Sequence, residues 1–444
     1  MTPARALLAA PRRAVRAYAS IAAVAVAAAP KQQQQQQQQQ PMKQQPIRCR
    51  CRRRASPPLA AAAGNSAAST ATAAAAAAPA LPPYAGEGDK NWHALPVRHV
   101  IEAQQFGREA LDAVFATAAE MEALVARQRR APLGSAGASS SLLAGRVMAT
   151  LFYEPSTRTR LSFEAAMARL GGSVLSTESA GEYSSAAKGE TLEDTIRTVE
   201  AYCDCVVLRH FSEGSARRAA SASRVPVINA GDGPGQHPTQ ALLDVYSILK
   251  ELRGAEALTK GGGGGGAGGG GAGGGGGGGG DRSLLAGAKI AMVGDLAHGR
   301  TARSLAYLLG GQYPGVEITF VAPPAVRMGD DIKRFLERKG CAWRESGDLS
   351  EVASSADVLY MTRIQKERFA SEADYRAAKG RYVLDAATLS RMRAHAVVLH
   401  PLPRVDEISP ECDGDPRAAY FRQAQNGLFV RMALLKLAMA PGRD

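Results

Sequence analysis

Residues 152–160 read FYEPSTRTR, directly after the apolar run Val147–Leu151 and directly before a helical pattern. Ser156 and Thr157 bring hydroxyls, and Arg158 and Arg160 bring planar, permanently charged donors that suit phosphate oxygens. The first turn of a helix adds unpaired backbone N–H groups and a partial positive charge, so it attracts a dianion. The segment therefore reads as a phosphate grip built without a Walker lysine. The plainer alternative makes Ser156 and Thr157 helix caps and the arginines a solvated face.

Other clusters carry compatible chemistry. Lys188 opens KGET after the Ser/Ala-rich stretch 183–187, placed to close over an anion or to remain a surface lysine. Arg209 and His210 follow an apolar strand, where an arginine serves a ligand or a salt bridge. In NAGDGPGQHPTQ, residues 229–240, glycines allow a tight turn and Pro238 suits the first helical position. His237 and Gln240 then stand one helical turn apart. A histidine there donates to a carbonyl oxygen that gains charge during attack, or simply caps the helix. GDLAHGRT, residues 294–301, matches neither G-x-G-x-x-G nor a Walker sequence, and it delivers Arg300 to a helix start. Arg363, in TRIQ, and the HPLPR loop at 400–404 each follow an apolar strand. Arg300 and Arg363 together can pair with two carboxylates of a small diacid, each pair being worth about 1.5–3 kcal/mol.

These clusters need a frame that brings them together. Strands are expected at Val147–Phe152, Ser173–Ser176, Cys205–Leu208, Pro226–Asn229, Lys289–Val293, Val316–Val321, Val358–Met361, Tyr382–Leu384 and Val397–Leu399, with helical stretches between them. The alternation predicts an α/β fold of two doubly wound parallel-sheet domains. In such folds ligands bind beyond the carboxyl ends of strands, where nearly every polar cluster here falls.

The remainder of the chain is compositionally odd. The first 86 residues contain no Asp or Glu and eleven Lys+Arg; subtracting these from the formal +13 leaves +2 for the rest. The basic balance thus belongs to an Ala-, Ser- and Arg-rich leader that fits an organelle transit peptide, with Gln32–Gln40 unable to bury surface. No aromatic residues interleave its arginines for base stacking, so nucleic acid is not an expected partner. The apolar stretch Ile21–Ala29 is too short to span a bilayer, so no membrane role is expected. Gly261–Gly280, eighteen glycines and two alanines, reads as a surface insertion rather than a phosphate loop. The six cysteines lack a spacing that completes four metal ligands, so neither metal nor cofactor is expected and reduced, buried thiols are.

STRTR, KGETLEDT, LRH, HPTQ, GDLAHGRT, TRIQKER, HPLPRVDEI and NGLFVRMALL, in this order, resemble the aspartate carbamoyltransferase family over about residues 90–444 apart from the glycine tract. Ornithine carbamoyltransferases share the STRTR segment but differ where this chain has Thr239 and HPLP, and a cationic acceptor suits Arg300 and Arg363 poorly. A carbamoyltransferase for another amine such as ornithine is the alternative enzyme, and a silent UMP or phosphate sensor is the alternative from another class. The leader and SSAAKGE resemble the plastid, plant-type branch, with the mitochondrion as second choice of compartment.

The resemblance implies transfer of the carbamoyl group of carbamoyl phosphate to L-aspartate in pyrimidine synthesis. Around the leader at 1–86 and the insertion at 251–283, which have no counterpart in the family pattern, it implies a carbamoyl-phosphate domain at 87–250, an aspartate domain at 284–425, and a helix at 426–444 packing back on the first domain. Ser156, Thr157, Arg158, Thr159, Arg209, His237 and Gln240 would hold carbamoyl phosphate. Lys188, Arg300, Arg363, Gln365, Pro401 and Leu402 would meet aspartate. Arg158, Thr159, Arg209, His237 and Lys188 would carry catalysis. Ser184 and Lys188 would come from the neighbouring subunit of a homotrimer, Lys188 alone because Ala187 precedes it where some relatives have two lysines. UMP is implied as an inhibitor occupying the Ser156–Thr159 grip.

Overall fold

Short apolar runs separated by stretches of helical periodicity give the chain its alternation of strand and helix. The computed structural model describes residues 98–132, 135, 140–178, 189–254, 284–364, 371–372, 375 and 382–439. Its first lobe comprises α1 (Arg108–Arg130), β1 (Val147–Phe152), α2 (Thr157–Arg169), β2 (Ser173–Glu178), α3 (Leu192–Val199), β3 (Cys205–His210), α4 (Ser215–Ala222), β4 (Val227–Asp232) and α5 (Pro238–Arg253). The second comprises β5 (Lys289–Val293), α6 (Arg300–Gln312), β6 (Glu317–Val321), α7 (Asp330–Arg338), β7 (Ala342–Ser346), α8 (Leu349–Ser355), β8 (Val358–Met361), α9 (Ala386–Arg391) and β9 (Val397–Leu399). The final helix is α10 (Tyr420–Met439).

Each lobe is built on one parallel sheet, ordered β2-β1-β3-β4 and β7-β6-β5-β8-β9. Strand order therefore reverses between β1 and β3 in the first sheet and between β5 and β8 in the second. The crossovers leave on opposite faces at those points, opening a crevice at the carboxyl ends of the strands.

Helix α5 is buried on all sides from Pro238 to Leu249, as expected of a helix lying between layers rather than on a surface. It packs against α6 and α10, and α10 also packs against α1 and α2. One apolar cluster consequently runs through both lobes, joining Phe152 of β1, Leu242 of α5, Met292 of β5, Leu305 of α6 and Phe429 of α10. Truncating such a leucine to alanine costs about 2–5 kcal/mol.

Three expectations need adjustment. Tyr382–Leu384 joins neither sheet; Leu384 makes a single parallel bridge to Ile408. Strand β7 was not expected, because AWRES lacks an apolar run; as an edge strand it has one partner and stays largely exposed. The last helix opens at Tyr420, inside the stretch assigned to the aspartate domain. Cys203, Cys205, Cys341 and Cys412 are free and buried. Among the described residues no helix is long and apolar enough to cross a membrane. The leader and the glycine tract lie outside the described residues.

Candidate active site

The two strand-order reversals deliver the polar clusters. At the first, Phe152 of β1 is in register with Arg209 of β3, and Tyr153 N–H donates to the Arg209 carbonyl at 2.8 Å. The STRTR segment and Arg209 therefore leave adjacent strands side by side. At the second, Arg300 opens α6 after β5, and Thr362-Arg363 follow β8.

Glu154 joins the two crevices. Its carboxylate accepts from Arg209 Nη2 at 2.9 Å and from Arg300 Nη1 and Nη2 at 3.3 and 3.4 Å. Arg209 also donates to the Ala230 carbonyl at 3.1 Å, and Arg300 to the Gly233 carbonyl at 2.6 Å. Gly231 makes this approach feasible. Its φ is +118°, and a Cβ there would stand 2.9 Å from Arg209 Nη1 and 3.1 Å from Arg300 Cζ.

His237 begins α5 but its side chain caps nothing, so the capping alternative is not realised. Its backbone N–H donates to Ser304 Oγ of α6 at 3.1 Å, and the ring is 5% exposed. Burial, reinforced by Arg300, Arg209 and Arg431, holds the imidazole well below its ordinary range, so at pH 7 it is a neutral hydrogen-bond donor rather than an acid. One turn on, Gln240 Nε2 donates to Asp244 Oδ1 at 2.8 Å. Asp244 also accepts from Gln423 Nε2 at 2.6 Å and from the Tyr360 hydroxyl at 2.8 Å.

Ser156 occupies the cap position of α2, again without a side-chain capping bond. Thr157 and Arg158 are exposed and Thr159 is buried. Arg160 turns away to Ser176 at 3.1 Å and Glu164 at 3.5 Å, so it does not join Arg158. Burial and the Arg363 guanidinium pull Arg158 below the usual arginine range, which brings a charge from each lobe to bear on the other. Burial and neighbouring guanidiniums push Arg209 down to about 10, and Arg431 likewise. Like charges that weaken one another in this way form a site suited to an anion.

The HPLPR loop is held from within. Leu402 N–H donates to His400 Nδ1 at 2.7 Å, so the ring proton sits on Nε2, which donates to Glu407 Oε1 at 2.7 Å. Leu402 has φ +54°, a costly conformation that this ring contact helps to fix.

The structure thus brings Ser156, Thr157, Arg158, Thr159, Arg209, His237, Gln240, Arg300 and Arg363 onto strand ends and helix starts at the two crevices, with Pro401 and Leu402 after β9. Ser184, Lys188 and Gln365 lie outside the described residues. Sequence reasoning missed Glu154, Ser304, Asp244 and Arg431. Glu154 had a signal, being the one carboxylate in FYEPSTRTR. Arg431 had none: it lies in α10 and reaches Ser162 of α2 at 2.7 Å across 269 positions.

Two family models match the chain. Residues 98–250 match "Aspartate/ornithine carbamoyltransferase, carbamoyl-P binding domain", and residues 286–438 match "Aspartate/ornithine carbamoyltransferase, Asp/Orn binding domain". The chain is 57% identical over 347 residues to the chloroplastic aspartate carbamoyltransferase of Oryza sativa, covering 78% of this chain and 86% of that one. It is 53% identical over 353 residues to that of Arabidopsis thaliana, covering 79% and 80%. Among solved structures, aspartate transcarbamoylase from Trypanosoma cruzi in complex with N-(phosphonacetyl)-L-aspartic acid is similar, with TM-score 0.65, 39% identity, and coverage of 77% of this chain and 96% of that one. With both lobes matched in order and relatives above half identity, the chain belongs to the aspartate carbamoyltransferase family.

Proposed function

We propose that the chain transfers the carbamoyl group of carbamoyl phosphate to the amine of L-aspartate, giving N-carbamoyl-L-aspartate and phosphate, an early committed step of pyrimidine synthesis. The observation that carries this reading is the convergence of Arg158 and Arg209 from one lobe with Arg300 and Arg363 from the other, around a neutral His237. The chain works in the chloroplast, the compartment in the names of its rice and Arabidopsis relatives.

Carbamoyl phosphate binds on the first lobe, residues 87–250, its phosphate on Ser156, Thr157, Arg158 and Thr159. Thr159, Arg209 and His237 meet the carbonyl oxygen, and Gln240 meets the carbamoyl amine. Aspartate enters from the second lobe, residues 284–425, its carboxylates on Arg300, Arg363, Gln365 and Lys188 and its amine near Pro401 and Leu402. The amine lone pair attacks the carbonyl carbon, and the tetrahedral oxyanion is held by the same three donors. The carbon–oxygen bond to phosphate then breaks as the nitrogen passes a proton to the departing phosphate. Because the acyl donor is already activated, positioning and charge complementarity supply the rate.

The test is steady-state carbamoylation of aspartate against ornithine, with calorimetry using N-(phosphonacetyl)-L-aspartate. Turnover of aspartate and tight binding of the phosphonate support the reading; turnover of ornithine alone overturns it.

Ser184 and Lys188 come from a neighbouring subunit of a closed homotrimer, which makes each site a shared one. Inactive Lys188→Ala chains mixed with inactive His237→Ala chains should then recover activity, and no recovery after verified subunit exchange would refute sharing. UMP inhibits by placing its phosphate on Ser156–Thr159. Simultaneous binding of UMP and carbamoyl phosphate would contradict that.

A further inference from the structure

The reading above, on which this inference rests, gives Gln240 the carbamoyl amine. We propose that Asp244 is the positioning residue that fixes which end of the Gln240 amide faces the substrate, and that it thereby makes the site select an acyl phosphate bearing N–H over one bearing a methyl group.

Asp244 is fully buried, and every contact its carboxylate makes in the structure is with a donor. Oδ1 accepts from Gln240 Nε2 at 2.8 Å and Gln423 Nε2 at 2.6 Å; Oδ2 accepts from the Tyr360 hydroxyl at 2.8 Å. Gln423 cannot turn to offer its oxygen instead, because its Oε1 accepts His400 N–H at 2.8 Å and a backbone N–H only donates. The Gln240 amide nitrogen is therefore committed to Asp244. Its Oε1 takes no hydrogen bond from any described residue, and it stands one turn from His237 at the start of α5. An unrestrained glutamine presents either end of its amide. This one presents an acceptor, which a carbamoyl –NH2 satisfies and an acetyl –CH3 leaves dry.

The orientation does not depend on the charge of Asp244. Burial pushes its carboxyl up to about 7 despite the three donors and nearby Arg431. When protonated on Oδ2 it donates to the Tyr360 oxygen, and Oδ1 still accepts from both amides. An asparagine reproduces this arrangement through Oδ1 and Nδ2. An alanine leaves the Gln240 nitrogen unheld.

The experiment uses the whole enzyme and two acyl phosphates, carbamoyl phosphate as substrate and acetyl phosphate as competitor. The ratio of acetyl phosphate Ki to carbamoyl phosphate KM is measured for wild type, Asp244→Asn, Asp244→Ala, Gln240→Ala and Gln240→Ala/Asp244→Ala. We expect the Asn variant to keep the wild-type ratio within about threefold and the Ala variant to lose roughly tenfold or more. In the Gln240→Ala background, Asp244→Ala should change the ratio no further. A wild-type ratio in Asp244→Ala, or a further loss in the double variant, overturns the proposal. Should Asp244→Ala not fold, the Asn variant decides: a ratio fallen to that of Gln240→Ala means that charge, acting on Arg431, is what matters. Failure of the functional reading itself would show earlier, as wild type that does not carbamoylate aspartate.

Discussion

The backbone N–H of His237 donates to the Ser304 hydroxyl at 3.1 Å, tying the start of α5 in one lobe to α6 in the other. Ser304 has no exposure at all, so water cannot replace it. Ser304→Ala strands a buried donor, at a cost of about 1–3 kcal/mol. Because that donor belongs to the residue proposed to meet the oxyanion, we expect kcat to fall by roughly tenfold, with a Tm drop of only ~2–5 °C. Stopped assays and calorimetry on the same preparation check this; unchanged kcat would mean that His237 is placed from elsewhere.

His237→Ala should lower kcat by ~10²–10³, the usual loss for one oxyanion donor. The fold should survive, since the side chain caps no helix. Held well below its ordinary pKa, the ring stays neutral through pH 6.5 and above. The kcat profile should therefore cross that region without an inflection due to His237. An inflection near pH 6.5 that vanishes in His237→Gln would contradict the assignment.

Gly231→Ala should be more damaging than its size suggests. The new methyl would press on the guanidiniums of both Arg209 and Arg300, and φ +118° is itself unfavourable for an L side chain. We expect aspartate KM and kcat both to worsen, by tenfold or more if ~1.4 kcal/mol of positioning is lost. Equal effects on the binding of phosphate alone and of the bisubstrate phosphonate would argue against a specific effect on the paired arginines.

Asp244 makes a prediction about stability and pH. Its carboxyl ionises near 3.8 in the unfolded chain and at about 7 in the folded one. Between those values the folded state holds the proton more tightly, so the contribution of Asp244 is fully present below about pH 4 and is lost as pH rises through 7. Asp244→Asn should remove that slope, worth at most ~4 kcal/mol across the window. Urea denaturation of wild type and variant from pH 5 to 8 should show the gap between them shifting in favour of Asn as pH rises. Parallel curves would mean that Asp244 titrates alike in both states.

The doubly wound sheets were legible because buried parallel strands are continuous apolar runs, as in VVL at 206–208 and VLYM at 358–361. β7 was hidden because an edge strand needs no such run, and Tyr382–Leu384 misled because an apolar triplet can also line a loop. Arg209, His237, Arg300 and Arg363 were legible because each stands where a strand or turn meets a loop or helix. Asp244, Ser304 and Arg431 were not. Each lies within a helix where sequence suggests packing, and each owes its role to a partner distant in sequence: Tyr360 across 116 positions, His237 across 67, Ser162 across 269. Only the folded contacts distinguish them from ordinary helix residues.

The loop after β9 is defined by what it lacks. Pro401 and Pro403 carry no amide hydrogen, and that of Leu402 is spent on His400. Three successive residues therefore have no amide hydrogen left to offer an incoming molecule. A stretch without free donors gives a carboxylate nothing to bind, so on the proposed reading the amino end of the nucleophile, and not its acidic ends, is the part suited to this loop.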